Sequence, residues 1–424
     1  MLDLVKRCVL GGLIAAAAGC RTYEPMPIDW AKEGDVWLSC GAMSFDSLDE
    51  VVRTALIGNP ELNRMRLKRM SSEKAAQATG LWNDPEVDFD LLRIVNPAEN
   101  PYLGGASLAF TLPLSGVKGL ERKSAAAYAE ADAAEIVVAE LETAGAARSA
   151  AVRLLASRKI AETLRGYESD QRISDAFAAA DKLADAGEIS RTEASLARMK
   201  RHQRLHRLRE AEREADEAEN SLRRILGVAP SVGLAFGDGC IRWDGEPARK
   251  FELTAVPTDY IRHPRVRAAV CRLEGGEAAL EAEVRRQYPE LKFGPAYSQE
   301  DGMDRLGIVA GLTLPWWNRN RRGIAEAEGV RDDDRMAAVQ TWRDVVLEAD
   351  AAERALRRLL DHPTESRVSA AEAKSLSDAG EMSVLEYLSV REESLDVELM
   401  EIEWYRDVRL AEENLRQYQP EVKE

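Results

Sequence analysis

The stretch EVDFDL, residues 86–91, alternates without a slip, with Val87, Phe89 and Leu91 on one side and Glu86, Asp88 and Asp90 on the other. Successive side chains of a strand point to opposite faces, so the segment reads as a β-strand with one apolar and one acidic face. Three further segments obey the same rule. In SLAFTLPL (107–114), Leu108, Phe110, Leu112 and Leu114 oppose Ser107, Ala109 and Thr111. Leu291 and Phe293 alternate with Lys292 and Gly294, and RLGIVAGLTL (305–314) sets Leu306, Ile308, Ala310, Leu312 and Leu314 on one side. A period of two over about 10 residues, apolar outward and polar inward, is the pattern of a transmembrane β-barrel. A soluble sheet with one buried face writes the same alternation, although acids on every other residue suit a wet lumen. Four strands do not close a barrel, for which about eight are needed. Either the sheet packs on another layer or several chains pool their strands; three chains would supply twelve.

The strands recur within a chain that repeats itself. ALIGNPELNRMRL (55–67) parallels DYIRHPRVRAAV (259–270) with Pro60 against Pro264, and NDPEVDFD (83–90) parallels QYPELKFG (287–294). Gly119 matches Gly323 at the same offset, TLP occurs at 111–113 and 313–315, and DAGEIS (185–190) returns as DAGEMS (378–383). Self-similarity at fixed spacing marks duplicated architecture. Residues 47–229 and 260–420 form two repeats, each predicted as helix, two strands, long helix, Gly corner and returning helix. The Gly- and Pro-bearing segment 230–259 links them, and 421–424 is a tail. Ser47 with Glu50 three residues on has the form of a capping box, and Pro60 implies a kink or a break.

Between Gly119 and Gly187 there is no Pro, and the stretch is rich in Ala. At ~1.5 Å per residue it would extend roughly 100 Å, beyond a globular domain. A helix of that length buries itself only against other helices, and Ala-rich seams allow close approach. Gly323 to Gly380 is eleven residues shorter, almost three whole turns, so the buried face keeps its phase.

Lys6 and Arg7 followed by CVLGGLIAAAAG (8–19) read as a signal peptide over 1–19, too short to span a bilayer. AAGC at 17–20 has the form of a lipobox, making Cys20 the expected lipidation site and 20–46 a lipid-anchored segment; ordinary signal cleavage is the alternative. Arg21 after the Cys, in place of Asp, implies onward export to the outer membrane. Cys40, Cys240 and Cys271 then remain in an oxidising compartment, where a Cys40–Cys240 bridge and free buried thiols both stand. Net charge is −16, which argues against nucleic acid as a partner.

SLDEVVRTALIGNPEL (47–62), the strand-to-helix exits LPLSGVKG (112–119) and LPWWNRNRRGIAEAE (314–328), and the two DAGE corners resemble the TolC-like outer-membrane efflux protein family over about 47–420. The resemblance implies a mainly α fold with a small β part. Long helical hairpins would build a periplasmic α-barrel, and four strands per chain would enter a trimeric 12-stranded transmembrane β-barrel. It implies a homotrimer in outer-membrane lipid, partnered by a periplasmic adaptor and an inner-membrane pump, with no cofactor and no enzymatic chemistry. The linker and chain ends would form a belt around the helical barrel. WNRNRRG (317–323) is most similar to the heavy-metal-efflux CzcC/CusC-type branch, although Trp316-Trp317 departs from it and no Met- or His-rich tract is present.

Within this plan Glu86, Asp88 and Asp90 are candidate barrel-lumen acids. Gly187 and Gly380 are candidate periplasmic tip corners, past helix ends where φ > 0 is needed, with Ser190 and Ser383 as caps of the returning helices. The family's gating acids near the tip make Glu193 and Glu386 candidates for an acidic ring; acids in a helix's first turn are favourable there anyway. Trp316 and Trp317 suit an interfacial belt or a packed core pair. His202 and His206 share a helix face at metal-binding spacing, but four neighbouring arginines make a solvated basic face the better reading. RDDDR (331–335) reads as solvated helix surface or, tripled, as a cation-attracting ring. His263 and His362, each before a Pro, read as local structure.

Overall fold

The computed structural model describes residues 23–38, 41–93, 95, 102–237, 239–241, 243, 257–300, 303–361 and 382–418. A short helix α1 (Trp30–Leu38) and strand β1 (Met43–Phe45) precede α2 (Leu48–Gly58) and α3 (Pro60–Ala78). Strands β2 (Glu86–Arg93) and β3 (Tyr102–Pro113) lead into α4 (Val117–Ser169), α5 (Gln171–Ala186) and the returning α6 (Arg191–Leu226). After β4 (Leu234–Phe236) and a 3-10 turn (Pro257–Arg262) come α7 (Pro264–Arg285), β5 (Glu290–Glu300), β6 (Met303–Thr313), α8 (Arg321–Asp361) and α9 (Val384–Arg416). The order helix, strand pair, long helix, returning helix thus occurs in α3–α6 and again in α7–α9. Among the described residues no helix is long and apolar enough to cross a membrane.

Ser47 caps α2, its Oγ accepting from the Glu50 amide, while Glu50 accepts from Asp46 N rather than from Ser47. Pro60 breaks the helix outright. Asn59 is the last cap of α2 and the first of α3, its Oδ1 accepting from Leu62 N at 2.9 Å, and Pro60 takes the first helical position, where its missing N–H costs nothing.

One uninterrupted helix down to Gly187 is corrected. Asp170 leaves helical geometry (φ −68, ψ 114) and its side chain accepts from Arg172 N, so a new helix starts there. An Asp that can satisfy free first-turn amides offers the chain an alternative to continued helix. At ~1.5 Å per residue the 53 residues of α4 still run about 80 Å.

The core lies along the helices. Ala131, Ala147, Ala150, Ala151, Ala156 and Ala161 on α4 are buried, and this small-residue seam lets α6, α7 and α9 pack against it. Leu154, Leu222, Leu226 and Val51 fill one cluster; Leu164, Phe177, Leu395 and Leu399 fill another. The 230–259 segment holds a strand that sequence periodicity missed: β4 pairs in parallel with β1, Phe45 opposite Phe236 with ring centroids 5.5 Å apart.

Strands β2, β3, β5 and β6 form one antiparallel sheet in that order, with β2 and β6 as its edges. β3 starts at Tyr102, earlier than the alternation from Ser107 suggested, because Gly104 and Gly105 pair regularly with Gln299 and Ser298.

Candidate functional site

Register sorts the sheet's side chains. Glu86, Asp88 and Asp90 stand opposite Ala109, Ser107 and Gly105 of β3, and Thr111 stands opposite Lys292 of β5. Lys292, Ala296 and Ser298 in turn oppose Gly311, Gly307 and Arg305 of β6. One face therefore carries Glu86, Asp88, Asp90 and Glu290 with the cations Lys292 and Arg305, above a floor rich in Gly, Ala, Ser and Thr. On that floor Ala109 and Thr111 are each only 6 % exposed. Lys292 reaches over β3 to Glu86, Nζ to Oε2 2.9 Å. The β3–β5 ladder skips Gly294 and Pro295, since Pro has no N–H, and a Cβ on Gly294 would lie 1.7 Å from the Leu108 carbonyl oxygen.

The other face carries Val87, Phe89, Leu91, Leu108, Phe110, Leu112, Leu291, Phe293, Leu306, Ile308 and Leu312. Phe110 and Phe293 form a cross-strand pair with centroids 6.2 Å apart. Among the described residues no helix covers this face: Leu306 is 86 % exposed and Ile308 80 %. An uncovered apolar surface of this extent calls for a membrane or a partner.

At the helix-side end of the sheet stand exposed Trp82, Leu114, Tyr288, Trp316 and Trp317, the last 95 % exposed. That rules out a packed core pair. Trp82 was missed in the sequence; its place just ahead of a strand, matching the aromatic Tyr288 before β5, was the available signal.

At the opposite end of the helices, Gly187 adopts φ +76 with Glu188 N donating to Leu183 O, a helix-ending Gly corner. Gly380 lies outside the described residues, as do Cys20, Cys40, His362 and the 421–424 tail. Both returning helices open with a complete capping box: Ser190 with Glu193, and Ser383 with Glu386. Glu193 Oε2 accepts from Ser190 N at 3.0 Å, and Glu386 Oε2 from Ser383 N at 2.8 Å. The backbone hydrogen bond from Ser383 holds the Glu386 carboxyl below its ordinary value.

The solvated basic face on α6 holds for His202, His206 and Arg209, which are exposed, and is corrected for three of its arginines. Arg204 is 10 % exposed and pairs with buried Glu392 of α9 and with Glu168 of α4; Arg201 also meets Glu168, and Arg207 meets Asp396 and Glu403. The arginine run complements acids on neighbouring helices, which local charge density does not reveal. Tyr167 lies under the Arg204 guanidinium, 4.6 Å from it, and burial pushes its hydroxyl pKa up. His206 sits 3.4 Å from Glu210, and among the described residues no group of three or more His, Cys, Asp or Glu is placed to hold a metal.

RDDDR is split by the helix: Asp332 is exposed and pairs with Arg331, whereas Asp334 packs against Gly276, and burial raises its carboxyl pKa. Cys240 and Cys271 are free buried thiols; Cys240 Sγ donates to the Phe45 carbonyl at 3.3 Å. His263 caps α7, accepting from Arg265 N.

No family model and no curated protein matches the chain. Solved structures do. The outer-membrane channel OprN superimposes with TM-score 0.68 at 16 % identity, over 94 % of this chain and 98 % of its own. CusC, described for its transmembrane channel formation, gives 0.65 at 15 % over 94 % and 97 %. The CmeC outer-membrane channel of Campylobacter jejuni gives 0.66 at 14 % over 94 % and 90 %. At such identities the likeness establishes the fold: this chain has the architecture of these outer-membrane channels.

Proposed function

We propose that the protein is a passive outer-membrane exit duct, three copies of which close one twelve-stranded barrel continued by a barrel of helices into the periplasm. The observation that carries this reading is the sorted sheet. Its apolar face is bare, its polar face is acidic with a floor of small residues, and both edges, β2 and β6, end in unpaired backbone. A spanning sheet must close so that no edge meets lipid, and four strands close only by joining other copies. The likeness in fold to the outer-membrane channels OprN and CmeC, and to CusC, supports a channel in the outer membrane.

On this reading Glu86, Asp88 and Asp90 line the lumen and the rim aromatics lie at the membrane boundary. Residues 47–229 and 260–420 are duplicated halves with 230–259 as the link. Signal peptide 1–19 directs export and is removed, and lipidated Cys20 with anchor 20–46 then holds the chain to the outer membrane. Gly187 and Gly380 form the periplasmic corners. Glu193 and Glu386, besides capping, bring six carboxylates to the tip of a trimer. A periplasmic adaptor and an inner-membrane pump supply and energise the substrate. WNRNRRG inclines the substrate toward heavy-metal ions, with drugs or a type I secreted protein as the alternative.

Light scattering of the detergent-purified chain tests the assembly. A mass of three mature chains, each somewhat below the 47.0 kDa of the full sequence, supports it. A monomer that stays soluble after removal of Cys20 supports instead a lipid-anchored coiled-coil scaffold without a pore.

A further inference from the structure

The turn after β6 carries an arrangement that the duct does not require. Arg319 (φ +47) and Asn320 (φ +49) are the only non-glycine residues with positive φ among those described. Left-handed backbone at two consecutive side-chain-bearing residues persists only where surroundings hold it. Here Asn320 Nδ2 donates to the Glu283 carbonyl at 2.8 Å and to its Oε2 at 2.6 Å, tying the turn to the end of α7. Gly323 leaves room for this clasp, since a Cβ there would lie 2.7 Å from Asn320 Oδ1. The clasp thrusts Trp316, Trp317, Arg319 and Arg321 outward as exposed side chains.

Nearby acids are already answered. Glu283 is met by Arg286 and Asn320, Glu121 by Lys118 and Arg286, and Glu326 by Arg322. Exposed Glu290, opposite Thr313, makes no ion pair among the described residues but faces the charges of Arg286 and Lys292. Among the described residues Arg319 and Arg321 have neither ion pair nor side-chain hydrogen bond. Two free guanidinium groups are thus held beside two exposed indoles, at the border of the apolar sheet face, on a chain of net charge −16. Guanidinium presents paired donors that match phosphate oxygens, and indole settles at the boundary between acyl chains and headgroups.

The geometry points to a collar for anionic phospholipid. Arg319 and Arg321 hold the headgroup phosphates of the periplasmic leaflet while Trp316 and Trp317 lie along the upper acyl chains. Net negative lipid is favoured over zwitterionic lipid because nothing acidic remains on the turn to receive the amine. The assignment rests on the sheet being the membrane-facing element.

The full chain is extracted with detergent and exposed to equal amounts of phosphatidylglycerol and phosphatidylethanolamine, and retained lipid is counted by native mass spectrometry. The wild-type chain is expected to keep phosphatidylglycerol at least fivefold over phosphatidylethanolamine. Arg319→Gln/Arg321→Gln is expected to bring that ratio near one while the helical circular dichroism is unchanged. A wild-type chain that keeps both lipids equally overturns the proposal without any variant. So does a folded double variant with undiminished preference. Conductance in neutral-lipid bilayers is measured in parallel: retained conductance without lipid preference sinks the collar alone, and lipid preference without conductance sinks the duct alone.

Discussion

Lys292 of β5 reaches across β3 to place its Nζ 2.9 Å from Oε2 of Glu86 on β2, so the sheet's acidic face is partly neutralised by its own chain. Both groups are exposed, and such a pair adds little to stability. Its weight falls on the charge seen by a passing ion. Lys292→Gln is expected to strengthen preference for cations, and Glu86→Gln/Asp88→Asn/Asp90→Asn to weaken it. Reversal potentials under a KCl gradient across a bilayer should move in opposite directions. If neither variant moves them, these residues do not line the conduction path.

Arg204 and Glu392 join the two returning helices where each side chain is 10 % exposed. Removing Arg204 leaves Glu392 to Lys200 alone, 3.0 Å away, and Glu168 to Arg201 alone, so Arg204→Met should cost about 2–3 kcal/mol, less than for a wholly unpaired buried charge. The double replacement Arg204→Met/Glu392→Met should recover most of that loss, since an apolar pair of similar volume suits the site. Urea titration followed by helical circular dichroism gives both values. Equal losses in single and double variants would show that the pair is solvated.

Gly227 and Gly187 both hold φ above +70, yet their surroundings differ. A Cβ on Gly227 would lie 2.3 Å from the Gly58 carbonyl oxygen, whereas Gly187 faces open space. Gly187→Ala should cost about 1–2 kcal/mol, the strain of the left-handed region alone. Gly227→Ala should add about 1–3 kcal/mol for the displaced backbone. Thermal melts that rank the two variants the other way contradict this packing.

His263 caps α7 by accepting at Nδ1, which requires the neutral ring, and donates from Nε2 to the Gln417 carbonyl at 3.1 Å, which either form of the ring can do. Burial holds its pKa below the ordinary 6.5, with Arg265 adding to the shift and the Gln417 carbonyl and Glu348 opposing it. Below 6.5 the unfolded chain takes up a proton that the folded chain refuses. The associated stability is therefore full above that value and falls as pH drops toward the folded pKa. His263→Asn keeps a capping side chain without the titration, so its melting temperature should fall less than wild type between about pH 7.5 and pH 5.5. An identical fall in both proteins would remove His263 from the account.

Much of the fold was legible because it rests on local periodicity. The alternation in EVDFDL specified both the strand and its faces, and the Gly corner at 187 and the Ser190 cap follow from backbone rules that act within a few residues. What stayed hidden depends on distant partners. Arg204 looked solvated because its acids lie on α4 and α9, far away in sequence. The short β1 and β4 are written in too few residues for a period to show, and each forms because the other is there. Asp170 was readable as a cap, yet the Ala-rich pattern on either side continues through it.

The central claim is that this chain makes a hole through a membrane, and single-channel recording on the purified full chain in a planar bilayer tests it most directly. Discrete, long-lived current steps of one unit size, from material that sediments as three chains, are the expected result. Folded protein that binds the bilayer and leaves its resistance unchanged would contradict it.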